Sequence, residues 1–328
     1  MLNHTSKLLK KYASLSKKLL NSLEDYGEDV GKLISNKYNA KSRECQGFGC
    51  HEGDRLFFIF FREWINLLIG VKLLYSNNLM NISIPTIRSL YEIFLQIIYL
   101  LMDKQTFEEK GKCYFLCNSW KNWKVSEKNK TFYDQFFRKK MANETVNSLE
   151  ITYNELSKQE GYNIYAKSIK KLSKNHGYFN AEWYKVYEYT VNPSDNRFSL
   201  AKITKVVKEK FSNDPSIQNI FYFFYYNLYD IMSQQAHGVV LADRLITLTD
   251  GRSFFKPVNY PGFETTYLEF INIMFIAMII KIRDMYFYGD EGTWNSSSCI
   301  DIQKLNNKNN EIIEKLRKIE CELADYLE

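Results

Sequence analysis

Two short polar segments interrupt otherwise apolar helical runs, and their side chains are of the kinds that handle phosphate. Arg88-Ser-Leu-Tyr-Glu92 sets an arginine and a glutamate one helical turn apart; Tyr229-Asp-Ile-Met-Ser233-Gln-Gln-Ala-His237-Gly238 sets a tyrosine, a serine and a histidine at the same spacing. Residues four apart share a helix face, so if the two helices pack together an arginine, a glutamate, a serine and a histidine meet in one internal pocket. Arginine offers a planar fork to phosphate or carboxylate, and Glu92 is placed to hold it. His237 falls in the last turn before Gly238, where the negative end of the helix dipole favours the imidazolium form and suits a proton donor. Together these groups suffice for phosphodiester cleavage without metal: His237 moves protons, Arg88 offsets charge on the phosphorus oxygens, and Ser233 and Tyr229 contact the ligand. The same residues also support a structural reading. Arg88 and Glu92 would then be an internal ion pair fixing how two helices meet, His237 a cap on carbonyls, and Ser233 a back-bonding hydroxyl.

Other chemistry is sparse. Cys45-x4-Cys50-His51 and Cys113-x3-Cys117 supply soft ligands, but the spacing fits zinc poorly, and Cys113 and Cys117 sit inside an apolar helical run with Tyr114, Phe115 and Leu116. The six cysteines read as reduced thiols, and no metal is expected. His4, His51 and His176 have no evident partner in the sequence. There is no Walker A loop, G-x-G-x-x-G, H-E-x-x-H or G-x-S-x-G, which excludes ATP-driven, zinc-protease and hydrolase-elbow mechanisms, and no cofactor is expected.

The elements that must position these groups are helical. With 24 Tyr, 23 Phe, 14 Gly and 5 Pro in 328 residues, the composition favours long uninterrupted helices over a turn-rich β fold. Leu8, Tyr12, Leu15, Leu19, Leu23, Tyr26, Val30 and Leu33 predict a long amphipathic first helix, with Ser35 to Gly53 as a loop. Asp54 then caps a nearly all-apolar helix to about Tyr75. Ser76-Asn77-Asn78 breaks it, and Pro85 opens the helix that carries Arg88 and Glu92. A helix from Phe107 to Trp120 precedes a lysine-rich stretch, Lys121 to Lys140, interleaved with Trp123, Phe132, Tyr133, Phe136 and Phe137; we read it as a solvated face with an apolar back rather than a stacking platform. Val146 to Lys174 reads as helix, Ser199 to Phe211 as a short one, and Asp214-Pro215 as the start of the helix bearing Ser233 and His237. An irregular segment with a turn at Asp250-Gly251 leads to a buried helix, Thr265 to Tyr288, and an amphipathic terminal helix runs from Ile300 to Leu323. The expected organisation is a segment 1–53, a core domain 54–250 and a closing segment 251–328, forming one all-α bundle.

The charge excess, 44 Lys and Arg against 38 Asp and Glu for a net +6, is mild and dispersed. The first residues lack a charged start followed by an apolar run, which predicts a cytoplasmic chain, and the apolar stretch Phe270–Ile280 is too short to span a bilayer, so no membrane partner is expected. Exposed amphipathic terminal helices favour a homodimer.

The run from Phe57 to Leu100 with Arg88-Ser-Leu-Tyr-Glu92, together with Tyr229, Ser233 and His237, resembles a bacterial family of all-helical proteins of unknown function carrying Arg-[Ser/Thr]-x-x-Glu and Tyr-x-x-x-Ser-x-x-x-His. The resemblance covers roughly Asp54 to Val240. That family is similar in layout to HEPN (higher eukaryotes and prokaryotes nucleotide-binding) helical bundles, which include metal-independent ribonucleases of toxin and phage-defence systems. The resemblance implies a HEPN-like core, an RNA or nucleotide ligand and a protein partner encoded nearby. HEPN nucleases carry Arg and His in one motif on a single helix; here Asp230 to Ser233 precede His237 without an arginine, so Arg88 supplies the charge from another helix. The alternative is a non-catalytic helical module that binds a nucleotide, RNA or partner protein, with the polar cluster structural.

Overall fold

The computed structural model describes residues 2–44, 51–130, 139–175, 182–193, 199–211, 213–214, 245–247, 253–255, 264–287, 294 and 301–325. Among them are ten α-helices and one short antiparallel strand pair, so the chain is an all-α helical bundle as its composition predicts. It divides into two compact units, one of residues 1–48, 60–101 and 206–328, the other of residues 49–59 and 102–205.

In the first unit, α1 (Leu2–Glu44) buries the predicted stripe: Leu8, Tyr12, Leu19, Leu23 and Val30 are shielded from solvent. α1 packs along α9 (Glu264–Tyr286) and α10 (Ile302–Asp325). The Tyr12 hydroxyl shares a 2.9 Å hydrogen bond with Thr265, and the Tyr26 ring meets Phe275 edge-on at 5.9 Å, which sets α1 and α9 side by side in the same direction. Trp64 of α2 (Glu52–Ser76) lies 5.6 Å from the same Phe275 ring. Each such fully buried large side chain contributes roughly 1.5–3 kcal/mol relative to an exposed one. α9 also packs on α3 (Ile84–Leu101).

Amide groups bridge this apolar interior. Asn309 of α10 donates to the Asn272 carbonyl oxygen at 2.8 Å, Asn272 donates to Asn306 at 3.2 Å, and the Ser22 hydroxyl of α1 donates to Asn309 at 2.7 Å. Asn272 and Asn309 are fully buried.

Several boundaries differ from the sequence reading. α1 runs through the expected loop to Glu44, because no glycine or proline interrupts the chain between Gly31 and Gly47. α2 begins at Glu52; Asp54 is buried within its first turn instead of capping it, and the Gly53 N–H is taken by the Glu108 carboxylate at 3.2 Å. The helix stops as expected at Asn77-Asn78. Asn78 takes a left-handed conformation (φ 57°), and the Leu79 N–H closes back on the Leu74 carbonyl at 2.8 Å. A 3-10 turn, Met80–Ser83, precedes α3, where Pro85 is the second residue. Leu245–Thr247 and Ser253–Phe255 pair antiparallel with Leu245 opposite Phe255, so these residues are short strands within a segment expected to be irregular; Asp250 and Gly251 lie outside the described residues. Asp214 holds Lys281 at 2.9 Å, and the helix expected after Pro215 lies outside the described residues.

The second unit is built on α4 (Phe107–Lys128), which packs on α5 (Lys139–Lys158), α6 (Asn163–Asn175) and α7 (Trp183–Val191). The single helix expected over Val146 to Lys174 is two, broken at Gly161 (φ 80°). Trp123 stacks on Tyr153 at 5.5 Å, which turns it inward as an apolar back requires; Phe132, Tyr133, Phe136 and Phe137 lie outside the described residues. A further helix, α8, spans Leu200–Lys210.

Among the described residues two helices qualify by length and composition to cross a membrane, Ile84–Leu101 and Thr265–Tyr286, and 61% and 72% of those segments are buried. For α9 it is therefore burial, not the shortness expected from Phe270–Ile280, that marks a core helix.

Gly111 of α4 meets the start of α2 backbone to backbone, and a Cβ there would lie 2.3 Å from the Glu52 carbonyl carbon and the Gly53 nitrogen. Gly111→Ala is expected to cost about 1–3 kcal/mol in denaturant unfolding. Gly31→Ala, whose new Cβ comes no nearer than 3.8 Å to Phe61, is expected to be neutral or to stabilise α1 by about 0.5–1 kcal/mol.

Candidate functional site

α3 forms because its apolar positions recur at helical spacing: Ile84, Ile87, Leu90, Tyr91, Phe94, Leu95 and Ile98 are buried. Arg88 and Glu92 are the only charged residues in its 18 positions. The structure brings these two together as the spacing predicts. Arg88 Nε donates to Glu92 Oε1 at 3.0 Å, with the side chains 21% and 33% exposed. Partial burial matters here: a fully exposed i,i+4 pair is worth only about 0.3–0.5 kcal/mol, and shielding from water strengthens both the attraction and the penalty for removing one partner. Gln96 reaches the Glu92 backbone carbonyl at 3.4 Å. Through Nε, the carboxylate sets the plane of the guanidinium, the preorganisation that an anion-binding arginine requires. Tyr229, Ser233 and His237 lie outside the described residues.

Cys113 and Cys117 are buried on α4 with their sulfurs 4.0 Å apart, and the Cys113 thiol donates to the Trp183 carbonyl at 3.3 Å. Burial, with help from Cys117, pushes the Cys113 thiol well above its ordinary range, which makes it a poor nucleophile. Among the described residues no group of three or more His, Cys, Asp or Glu side chains is arranged to hold a metal ion. Cys45, Cys50 and His176 lie outside the described residues, and His51 is 74% exposed with Nδ1 3.9 Å from Glu108.

A second ionisable cluster escaped the sequence reading. At the start of α2, Arg55 Nη1 donates to both Glu52 oxygens at 3.0 and 2.9 Å, and the Tyr162 hydroxyl donates to Glu52 at 2.8 Å. Tyr165 reaches Glu109 at 3.4 Å, and the Arg55 guanidinium lies 4.7 Å from the centre of the Phe115 ring. The only hint in the sequence was acidic residues in the first turns of α2 and α4, which is ordinary for helices. Here acids and donors satisfy one another, so the cluster ties α2 to α4 and α6.

Burial raises several tyrosines of this unit. Tyr187 is pushed up to about 12 despite a hydrogen bond with Thr106 that lowers it, and Tyr153 to about 12. Tyr162 and Tyr165 go higher, by desolvation first; after it Glu52 raises Tyr162, and Cys113 and then Glu109 raise Tyr165. Their folded values exceed the ordinary 10.0, so the stability they supply is fully present below pH 10 and is lost as pH rises through 10 towards 12. We expect the denaturant midpoint to fall across that window with tyrosinate absorbance appearing alongside unfolding, and Tyr162→Phe to flatten part of the fall.

No curated protein and no solved structure matches the chain. The profile of a family of unknown function (DUF5677) matches residues 54–253, a segment that contains α3 with its ion pair and extends past His237. That segment is more than half of the 328 residues, so the chain belongs to the DUF5677 family of unknown function.

Proposed function

We propose that the chain is a metal-independent ribonuclease, or a related phosphate-handling enzyme, of the cytoplasm of a bacterium. The observation that carries this reading is the Arg88–Glu92 pair: a guanidinium held at 3.0 Å by a carboxylate, part-buried, the sole charges of an apolar helix inside the family-matched segment. In this reading Arg88 clamps the charge that develops on the phosphorus oxygens and Glu92 orients it. His237 acts as general acid and base, and Ser233 and Tyr229 contact the ligand. The all-helical bundle accords with a HEPN-like core, for which toxin or phage-defence work, a homodimer and a partner encoded nearby follow by analogy alone.

A second reading draws on the same pair. Arg88 and Glu92 close on each other within one helix, which is also how a purely structural pair behaves, and this favours a non-catalytic module that binds RNA, a nucleotide or a protein. Incubation of labelled RNA with purified protein in EDTA separates the two. Cleavage by the wild type should fall about 100- to 1,000-fold in Arg88→Lys and at least 100-fold in His237→Ala, with melting temperatures retained. Identical traces for all three proteins remove the nuclease and leave the binding module.

A further inference from the structure

The front half of α1 carries charge of one sign. Residues 2–23 contain five lysines and no carboxylate; the first acid of the helix, Glu24, is engaged by Lys72. The apolar stripe of this half is buried, whereas Lys7, Lys10, Lys11, Lys17 and Lys18 are all exposed. At 100° per residue these lysines, with Ser14 and Asn21, fall within an arc of roughly 120° and extend for about 21 Å along the helix. α10 supplies the opposite wall. Lys308 lines one groove with Ser14, Lys17, Lys18, Asn21 and Ser22, and Asp25 closes its end. Lys315, two helical turns further along α10, is exposed on the same side as Lys308. The overall excess of +6 is thus less dispersed than the sequence suggests.

We propose that this basic face of α1, with Lys308 across the groove, binds the phosphodiester backbone of a nucleic acid. Lysines are point charges without a fork, and no aromatic residue stands on this arc, so contacts are to phosphates rather than base edges and carry no sequence preference. A membrane surface fits less well. The apolar face that an interfacial helix would insert is already packed in the bundle. The surface lies outside the family-matched residues 54–253, and it stands on α1 and α10 whether or not Arg88 and His237 cleave anything.

The test is fluorescence anisotropy of the full chain in EDTA, titrated with salt, using labelled single-stranded RNA, duplex RNA and single-stranded DNA, with phosphatidylserine vesicles as a separate arm. For a single strand each phosphate contact contributes about 0.7 to the slope of log affinity against log salt, so Lys10→Gln/Lys17→Gln/Lys18→Gln should lower that slope by about two and weaken binding at least tenfold at low salt. Lys158→Gln/Lys167→Gln/Lys170→Gln, the same charge change at exposed lysines elsewhere, should leave both values near wild type. Lys308→Gln alone should produce a smaller loss than the triple variant. Glutamine keeps helix propensity, and unchanged far-ultraviolet circular dichroism accompanies the expected result. Which nucleic acid binds tightest identifies the source of the phosphates. Absence of nucleic-acid binding, equal losses in the two triple variants, or binding to vesicles alone each overturns the proposal.

Discussion

The buried amide ladder from Ser22 through Asn309 and Asn272 to Asn306 is the constraint on which the first unit depends. Leucine and isoleucine stripes drive α1, α9 and α10 together, but such stripes are nearly as well satisfied after a slip of one turn. Amides are not. A slip would strand buried donors and acceptors at about 1–3 kcal/mol each, so the ladder selects one register from several that are apolar enough. α9 then carries that register to α3 by direct packing, and α3 is where Arg88 and Glu92 stand. The position of a candidate phosphate-handling arginine thus traces back to polar groups in helices outside the family-matched segment.

The second unit obtains its precision differently. A pair of glycines, Gly53 and Gly111, lets two backbones approach as no side chain would permit, and the glutamates and tyrosines around that contact fill the remaining polar valences. Tight backbone approach excludes water, and exclusion of water is what raises the tyrosines. Burial is the first cause of the raised tyrosines, and the charges packed beside them add to it.

Much of this was legible in the sequence because periodicity is a local signal. The stripe of α1, the apolar run of α2, the Asn78 break and the Arg88–Glu92 pairing all follow from spacings of three, four or seven residues. What was not legible depends on distance. That Asn272 meets Asn309, that Gly111 meets Gly53, or that the chain visits one unit at 49–59 before returning to it at 102 leaves no local trace. Boundaries failed where residues were merely permissive: Ser35 to Glu44 would suit loop or helix, and continuation from an established helix costs less than ending it. At the candidate site the sequence supplied the intrahelical half, the Arg88–Glu92 pair, whereas any meeting of Arg88 with His237 would be a tertiary property that local spacing does not encode.

The hydrogen bond from Ser22 to Asn309 joins positions 287 residues apart in the chain. During synthesis α1 emerges well before α10, one of the helices that cover its leucines, with α2 to α9 made in between. Until then the part of its stripe that α10 covers stays open, and closing so wide a loop is slow compared with forming the helix itself. Of the two helices that this hydrogen bond joins, the one made earlier therefore waits longest for its partner.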